Sequence, residues 1–379
     1  MEMRTYREAG PSISLLGLGC MRLPKVCPDK DDIDFAAAQE MVDYAYAHGV
    51  NYYDTAYVYH GGTSEQFIGP ALKKYPRDSY YLATKMPGWD LTCREDAVKI
   101  FEEQLANCQV DYFDFYLCHS LSESNYRKYK DLGVIDYLDE QKKAGRIRRL
   151  GFSFHATLPI LEEVLSWYSW DFAQIQLNYL DWEAQQAKEQ YEMLSGRGLP
   201  VIIMEPVRGG ALASPCAESD RIFHAAAPGR STASWAIRYA ASLPGVLTVL
   251  SGMSSMEQLQ DNIATMTGFS PLTPEEYEVV GRALAAYKAH VTIPCTGCRY
   301  CMDCPSGVDI PLMFKLYNRY AVTKDKGDYQ KALAEVPQSA QMQSCVACGV
   351  CMGHCPQSIR IPDELARIRE MTDSWQKKA

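Results

Sequence analysis

The chain has 379 residues, 47% of them hydrophobic and 22% charged, enough for a full-sized core and a second small domain. Its net charge of −9 argues against a general nucleic-acid partner. Residues 1–10 lack the apolar core of a secretory signal, and no apolar stretch approaches the ~20 residues that span a bilayer, so a cytoplasmic protein without a membrane partner is expected.

Through the first three-quarters, short apolar runs alternate with amphipathic stretches. Strands are predicted over residues 13–17, 50–54, 80–85, 113–119, 147–153, 172–177, 200–205 and 246–251. Helices are predicted between them, over 34–48, 94–108, 137–144, 159–166, 183–195 and 232–241. Gly49, Gly145 and Gly198 read as helix stops. Strand–helix alternation repeated eight times is the pattern of a (β/α)8 TIM barrel, with a doubly wound open sheet as the runner-up. Gly17 and Gly19 are not a dinucleotide fingerprint, because no third glycine opens a helix. A further helix spans 273–290, with Thr273 as N-cap and Pro274 in the first helical position. The domain boundary is set near residue 290, giving a barrel at 1–290 and a small, mostly helical domain at 291–379.

That second domain carries two cysteine runs. The first is Cys295-x-x-Cys298-x-x-Cys301-x-x-Cys304-Pro305; the second is Cys345-x-x-Cys348-x-x-Cys351-x-x-x-Cys355-Pro356. In each, three thiolates spaced by three residues wrap one cluster. The fourth, followed by proline, turns toward the other, as in two-cluster ferredoxins. Two 4Fe–4S clusters with crossed ligation are expected: Cys295, Cys298, Cys301 and Cys355 on one, Cys345, Cys348, Cys351 and Cys304 on the other. Zinc prefers separated C-x-x-C knuckles or mixed Cys/His sets, and thiols three residues apart are poor disulfide partners. Helices are predicted between the runs, at 312–320 and 329–334. Cys20, Cys27, Cys93, Cys108, Cys118 and Cys216 lack ligand spacing and read as small hydrophobes.

Barrel chemistry sits at the C-terminal ends of the strands. Those ends present Asp54, Lys85 and His119, with Tyr59 five residues past Asp54. A phenol titrates near ~10 in water, too high for efficient proton donation at neutral pH. A neighbouring lysine favours the phenolate, an aspartate keeps that lysine charged and aimed, and a histidine orients a carbonyl. Such a set donates a proton to a carbonyl oxygen while a hydride reaches the carbon.

In these motifs the chain resembles the aldo/keto reductases, in the branch with a C-terminal ferredoxin-like domain. The resemblance rests on Gly17-Leu18-Gly19-Cys20-Met21-Arg22-Leu23-Pro24, Tyr53-Asp54-Thr55-Ala56, Gly62-Thr63-Ser64-Glu65, Ala83-Thr84-Lys85, Tyr116-Leu117-Cys118-His119 and Gly151-Phe152-Ser153. Gln174-Ile175-Gln176, Glu205-Pro206-Val207-Arg208-Gly209-Gly210 and Ser251-Gly252-Met253 follow in family order, and Gly307-Val308-Asp309-Ile310-Pro311 extends it beside the first cysteine run. It implies Tyr59 as general acid, tuned by Lys85 and Asp54, with His119 positioning the carbonyl. It also implies NAD(P)H, with Ser153 and Gln174 on the nicotinamide carboxamide. Arg208, Gly209, Gly210, Ser251, Gly252, Met253, Gln258 and Asn262 would hold the pyrophosphate and adenosine end. Met204 stands where many members stack an aromatic residue on the nicotinamide. Gly252 and Gln258 stand where many carry the cations that grip a 2′-phosphate, so little preference for NADPH over NADH is expected. Cys20 takes the place of a threonine near the substrate, and Trp89 and Tyr57 are candidates for the pocket mouth.

The function so implied is an oxidoreductase interconverting a small-molecule carbonyl and alcohol, linked to electron transfer through two clusters. A hydride carries two electrons, whereas each cluster passes one. Two alternatives follow: a reductase fed through the clusters by a ferredoxin or other redox partner, with flavin as mediator, or an electron-transfer subunit whose barrel is a scaffold.

Overall fold

Apolar runs rich in β-branched and aromatic residues form the strands of the computed structural model, which describes residues 1–27, 32–290 and 292–376. Two short strands, β1 (Met3–Thr5) and β2 (Ser12–Ser14), pair antiparallel. Eight parallel strands follow: β3 (Leu16–Gly19), β4 (Tyr52–Asp54), β5 (Tyr81–Pro87), β6 (Phe115–Leu121), β7 (Leu150–Phe154), β8 (Phe172–Gln176), β9 (Val201–Met204) and β10 (Val246–Gly252). They close into a barrel in chain order, β10 pairing with β3. Each is buried on both faces almost throughout, which is why they read as continuous apolar runs rather than as alternating ones. Inside, the Phe115 ring meets the Tyr52 and Phe172 rings edge-on, each at a centroid distance of 5.0 Å.

The fold is therefore the (β/α)8 barrel expected, with differences at the level of elements. The strand predicted over 13–17 spans two elements. Leu15 N bonds Glu2 O at 2.9 Å and closes the hairpin, and the barrel strand begins one residue later. The apolar run is unbroken across Leu15, so its pattern carries no trace of the change. The helix predicted over 183–195 is two, Asp181–Ala184 and Ala187–Ser195, separated at Gln186, whose φ of 52° no helix accommodates. Helices Ser64–Leu72, Met256–Met266 and Ile361–Gln376 were not among the predicted ones.

The chain divides into two compact units. One contains Met1–Val207 and Ala233–Glu275, hence all the barrel strands. The other joins Arg208–Thr232 to the chain from Glu276 onward. Within this second unit Ser219 Oγ donates to Ala283 O at 2.7 Å, and Met313, Phe314, Tyr329 and Ile368 form its core. Packing thus groups residues 208–232 and 276–290 with the cysteine runs. Val291, the first residue of the expected second domain, lies outside the described residues. Among the described residues no helix is long and apolar enough to cross a membrane.

Candidate functional site

Asp54 ends β4, Lys85 and His119 lie on β5 and β6, and Tyr59 opens the turn Tyr59–Gly62. The structure brings all four together. Lys85 Nζ donates to Asp54 Oδ1 at 2.6 Å, to Thr55 O at 2.6 Å and to Tyr59 Oη at 3.2 Å. The Tyr59 and His119 rings meet edge to face with centroids 5.9 Å apart. Trp89 comes within 5.0 Å of the His119 ring and forms a wall beside it. Tyr57, the other aromatic expected at the mouth, is turned to Glu103 by a 2.8 Å hydrogen bond.

The four groups are almost wholly buried, which strengthens each electrostatic contact. Burial raises the Asp54 carboxyl, against the opposing pull of the Lys85 ammonium. Burial, then the charges of Lys85 and His155, hold His119 well below the ordinary imidazole range, so its ring is neutral at neutral pH. Burial likewise raises the Cys20 thiol and leaves it inert as a nucleophile.

Residues that sequence reasoning did not single out fix this arrangement. Tyr129 is fully buried; its hydroxyl accepts from Gly88 N at 2.7 Å and lies 2.6 Å from Met86 O and 2.7 Å from His119 O. It ties the ends of β5 and β6 together just past Lys85 and beside His119. Glu65, also fully buried, accepts from Thr84 Oγ1 at 2.5 Å and Gln104 Nε2 at 2.7 Å, and Gln104 Nε2 lies 2.9 Å from Lys85 O. Glu65 falls in a motif quoted above, but Tyr129 had no signal beyond being one of many tyrosines. Backbone strain gathers here too: His60, Ser120 and Glu205 all have φ between 51° and 56°.

Of the residues expected at the cofactor, those on β7 to β10 and the following helix lie in the first unit. Ser153 pairs with Gln174 across β7 and β8, and Gln176 with Met204 across β8 and β9. Ser153 Oγ accepts from Ser120 N at 2.7 Å, which leaves its proton to donate. Gln174 Oε1 is buried with no hydrogen-bond partner among the described residues, an acceptor that a carboxamide N–H would satisfy. The nicotinamide end therefore fits. Farther out, Asn262 Nδ2 donates to Ser251 Oγ at 2.9 Å, Met253 is buried, and Gln258 Oε1 accepts from Ser254 N at 2.8 Å. Gly252 is overlaid by Arg22: a Cβ there would meet Arg22 Cγ and Cδ at 3.0 Å. Arg22 in turn pairs with Glu205 at 2.9 Å. Arg22 and Glu205 stood inside quoted motifs without a role; 183 residues separate them, so only the closed barrel shows that they meet.

Arg208, Gly209 and Gly210 belong to the second unit, where Gly209 packs against the first cysteine run. A Cβ on Gly209 would lie 2.1 Å from Thr296 O. The eight cysteines line two hollows. Cys295, Cys298, Cys301 and Cys355 line one, and Cys304, Cys345, Cys348 and Cys351 line the other. Each hollow thus receives the fourth cysteine of the opposite run, the donor set a cubane requires.

The chain matches the aldo/keto reductase family over residues 15–284 and a 4Fe-4S dicluster domain over residues 294–360. It is 27% identical over 294 residues to the L-galactose dehydrogenase of Arabidopsis thaliana, covering 72% of this chain and 90% of that protein. It is 26% identical over 219 residues to the NADH-specific methylglyoxal reductase of Escherichia coli strain K12, covering 53% and 66%. Among solved structures it resembles the holo form of the aldo-keto reductase AKR11C1 from Bacillus halodurans, with a TM-score of 0.62 and 26% identity over 75% of this chain and 96% of that one.

Proposed function

Because the chain belongs to the aldo/keto reductase family, we propose that it interconverts a small carbonyl and its alcohol, with Tyr59 as general acid and the 4Fe–4S domain as its link to one-electron carriers. The observation that carries this reading is the buried chain of contacts from Asp54 through Lys85 to Tyr59, with neutral His119 beside it. Tyr59 donates its hydroxyl proton to the carbonyl oxygen. The Lys85 ammonium stabilises the phenolate left behind, and Asp54 and Thr55 O fix that ammonium in place. A neutral His119 offers an N–H to the same oxygen and adds no second cation next to Lys85. NAD(P)H, when bound, supplies the hydride; Ser153 and Gln174 would hold its carboxamide and Arg22 would face its phosphates.

In the second domain Cys295, Cys298, Cys301 and Cys355 would ligate one cluster and Cys304, Cys345, Cys348 and Cys351 the other, as the two hollows support. The domain boundary is proposed near residue 290, between the matched stretches at 15–284 and 294–360. The two cluster ligand sets, and the six cysteines outside them, none of them disulfide-bonded, support a reducing, cytoplasmic setting.

One observation favours a second reading. The cofactor's phosphate end, as far as the first unit builds it, offers Arg22 already neutralised by Glu205, and Met204 gives no aromatic face. A reductase fed through the clusters, with flavin in place of nicotinamide, would need neither. The complete tetrad speaks against a scaffold barrel. Anaerobic protein should contain about 8 iron per chain, as two cubanes require, and consume NADH or NADPH with an activated aldehyde such as 4-nitrobenzaldehyde. Turnover only with a low-potential donor, and flavin in the purified protein, would move the assignment to the second reading.

A further inference from the structure

The two hollows differ in their surroundings. At the first, Thr296 is buried and Gly209 packs against its carbonyl, while Arg299 and His354 line the space. The second is lined only by uncharged side chains, and its ligand Cys348 is the one exposed cysteine among the fourteen. Around Cys348 stand Val346, Val350 and Met352, with relative exposures of 70%, 46% and 44%. Three of the eight exposed large hydrophobics among the described residues thus fall within seven positions, in a stretch from 336 to 359 with no Lys, Arg, Asp or Glu.

We propose that this patch is where a small one-electron carrier protein docks, so that electrons cross at the second cluster. Two properties point to that occupant. An electron donor must bring its own centre close to the cluster, and the surface that exposes a cluster ligand offers the shortest approach. The patch is apolar and carries no Lys, Arg, Asp or Glu, the composition of an interface core. A carrier whose redox centre is rimmed by uncharged residues would match it. Each encounter oxidises the carrier by one electron and reduces the cluster held by Cys304, Cys345, Cys348 and Cys351 by one. The proposal rests on the reading that these four cysteines bind a cluster.

The test is rapid anaerobic mixing of the iron-loaded protein with a reduced two-cluster bacterial ferredoxin, following the bleaching of cluster absorbance. Dithionite serves as a small reductant that needs no docking. The variant is Val346→Gln with Val350→Gln, larger, polar and uncharged; Val98→Gln, an exposed barrel position, is the control. Loss of two central apolar contacts should slow reduction by ferredoxin about tenfold or more, with iron content and the dithionite rate unchanged. The wild-type rate should depend only weakly on salt. An iron-loaded variant reduced by ferredoxin as fast as wild type overturns the docking site alone. So does a wild-type dimer, seen by sedimentation, that the substitutions dissociate, since the patch would then face a second copy. Protein without iron would overturn the cluster reading itself.

Discussion

At the residue scale, the site turns on a buried charge pair. Removing one partner of such a pair leaves the other uncompensated, typically at about 3–5 kcal/mol. Lys85→Met should therefore lower the thermal midpoint sharply as well as abolish efficient turnover, and adding Asp54→Asn should restore much of the stability but none of the activity. Equal stability of the single and double variants would show that Asp54 is not held by Lys85. His119 gives a pH prediction. Its folded-state value lies well below the ordinary 6.5, so the unfolded chain takes up a proton that the folded chain refuses. Its contribution is complete above about pH 6.5 and is lost as pH falls toward the folded value, at up to about 1.4 kcal/mol per pH unit. Urea midpoints at about pH 7.5 and 5.5 should fall less for His119→Gln than for wild type; a parallel fall would mean that His119 titrates alike in the folded and unfolded chains. The grouping of these four was legible in the sequence because Asp54, Lys85 and His119 stand on three successive strands and Tyr59 follows the first of them by five residues. Arg22–Glu205 and the Tyr129 clasp were not, because each depends on chain segments meeting across the barrel mouth or between neighbouring strands.

At the element scale, strand existence and order were readable from apolar runs of five to seven residues between helical patterns, and the helix Arg94–Cys108 falls where its pattern placed it. What escaped were changes that leave hydrophobicity unbroken: the switch from hairpin to barrel at Leu15 and the left-handed residue at Gln186. Helix Ser64–Leu72 escaped because Pro70 lies inside it. The glycine pair after β9 makes a sharper test of packing. Gly209 has φ of 63°, and its missing side chain makes room for Thr296 O. Gly209→Ala should cost about 1–3 kcal/mol from backbone strain alone, with the clash in addition. The expected outcome is lowered iron content at the first cluster, read by spectroscopy and metal analysis, whereas Gly210→Ala, with nothing within 4 Å of its Cβ, should suffer only the strain. Equal iron content in both variants would show that the loop does not support the cysteine run.

At the scale of the whole molecule, an aldo/keto reductase barrel is joined to a 4Fe-4S dicluster domain, and the proposed function couples a two-electron reaction to a one-electron relay. Nucleotide choice probes how the barrel has adapted. With Gly252 and Gln258 offering no cation and Arg22 tied to Glu205, NADH and NADPH should bind within about tenfold of each other, close to 1.4 kcal/mol, in a fluorescence titration. Glu205→Gln removes the carboxylate paired with Arg22 and should tighten NADPH more than NADH; an NADPH preference above about 100-fold in the wild type would reveal a phosphate ligand elsewhere. The dicluster domain was visible in the cysteine spacing, but the grouping of residues 208–232 with the cysteine runs was not, since nothing local distinguishes that segment from any other barrel loop. The proposed carbonyl chemistry stands or falls on Tyr59. The most direct measurement is kcat/KM for carbonyl reduction by correctly folded, iron-loaded Tyr59→Phe beside wild type. Loss of the proton donor with retention of the ring should lower it by about 100- to 10,000-fold, with cluster content unchanged; a rate equal to wild type would contradict the proposed chemistry.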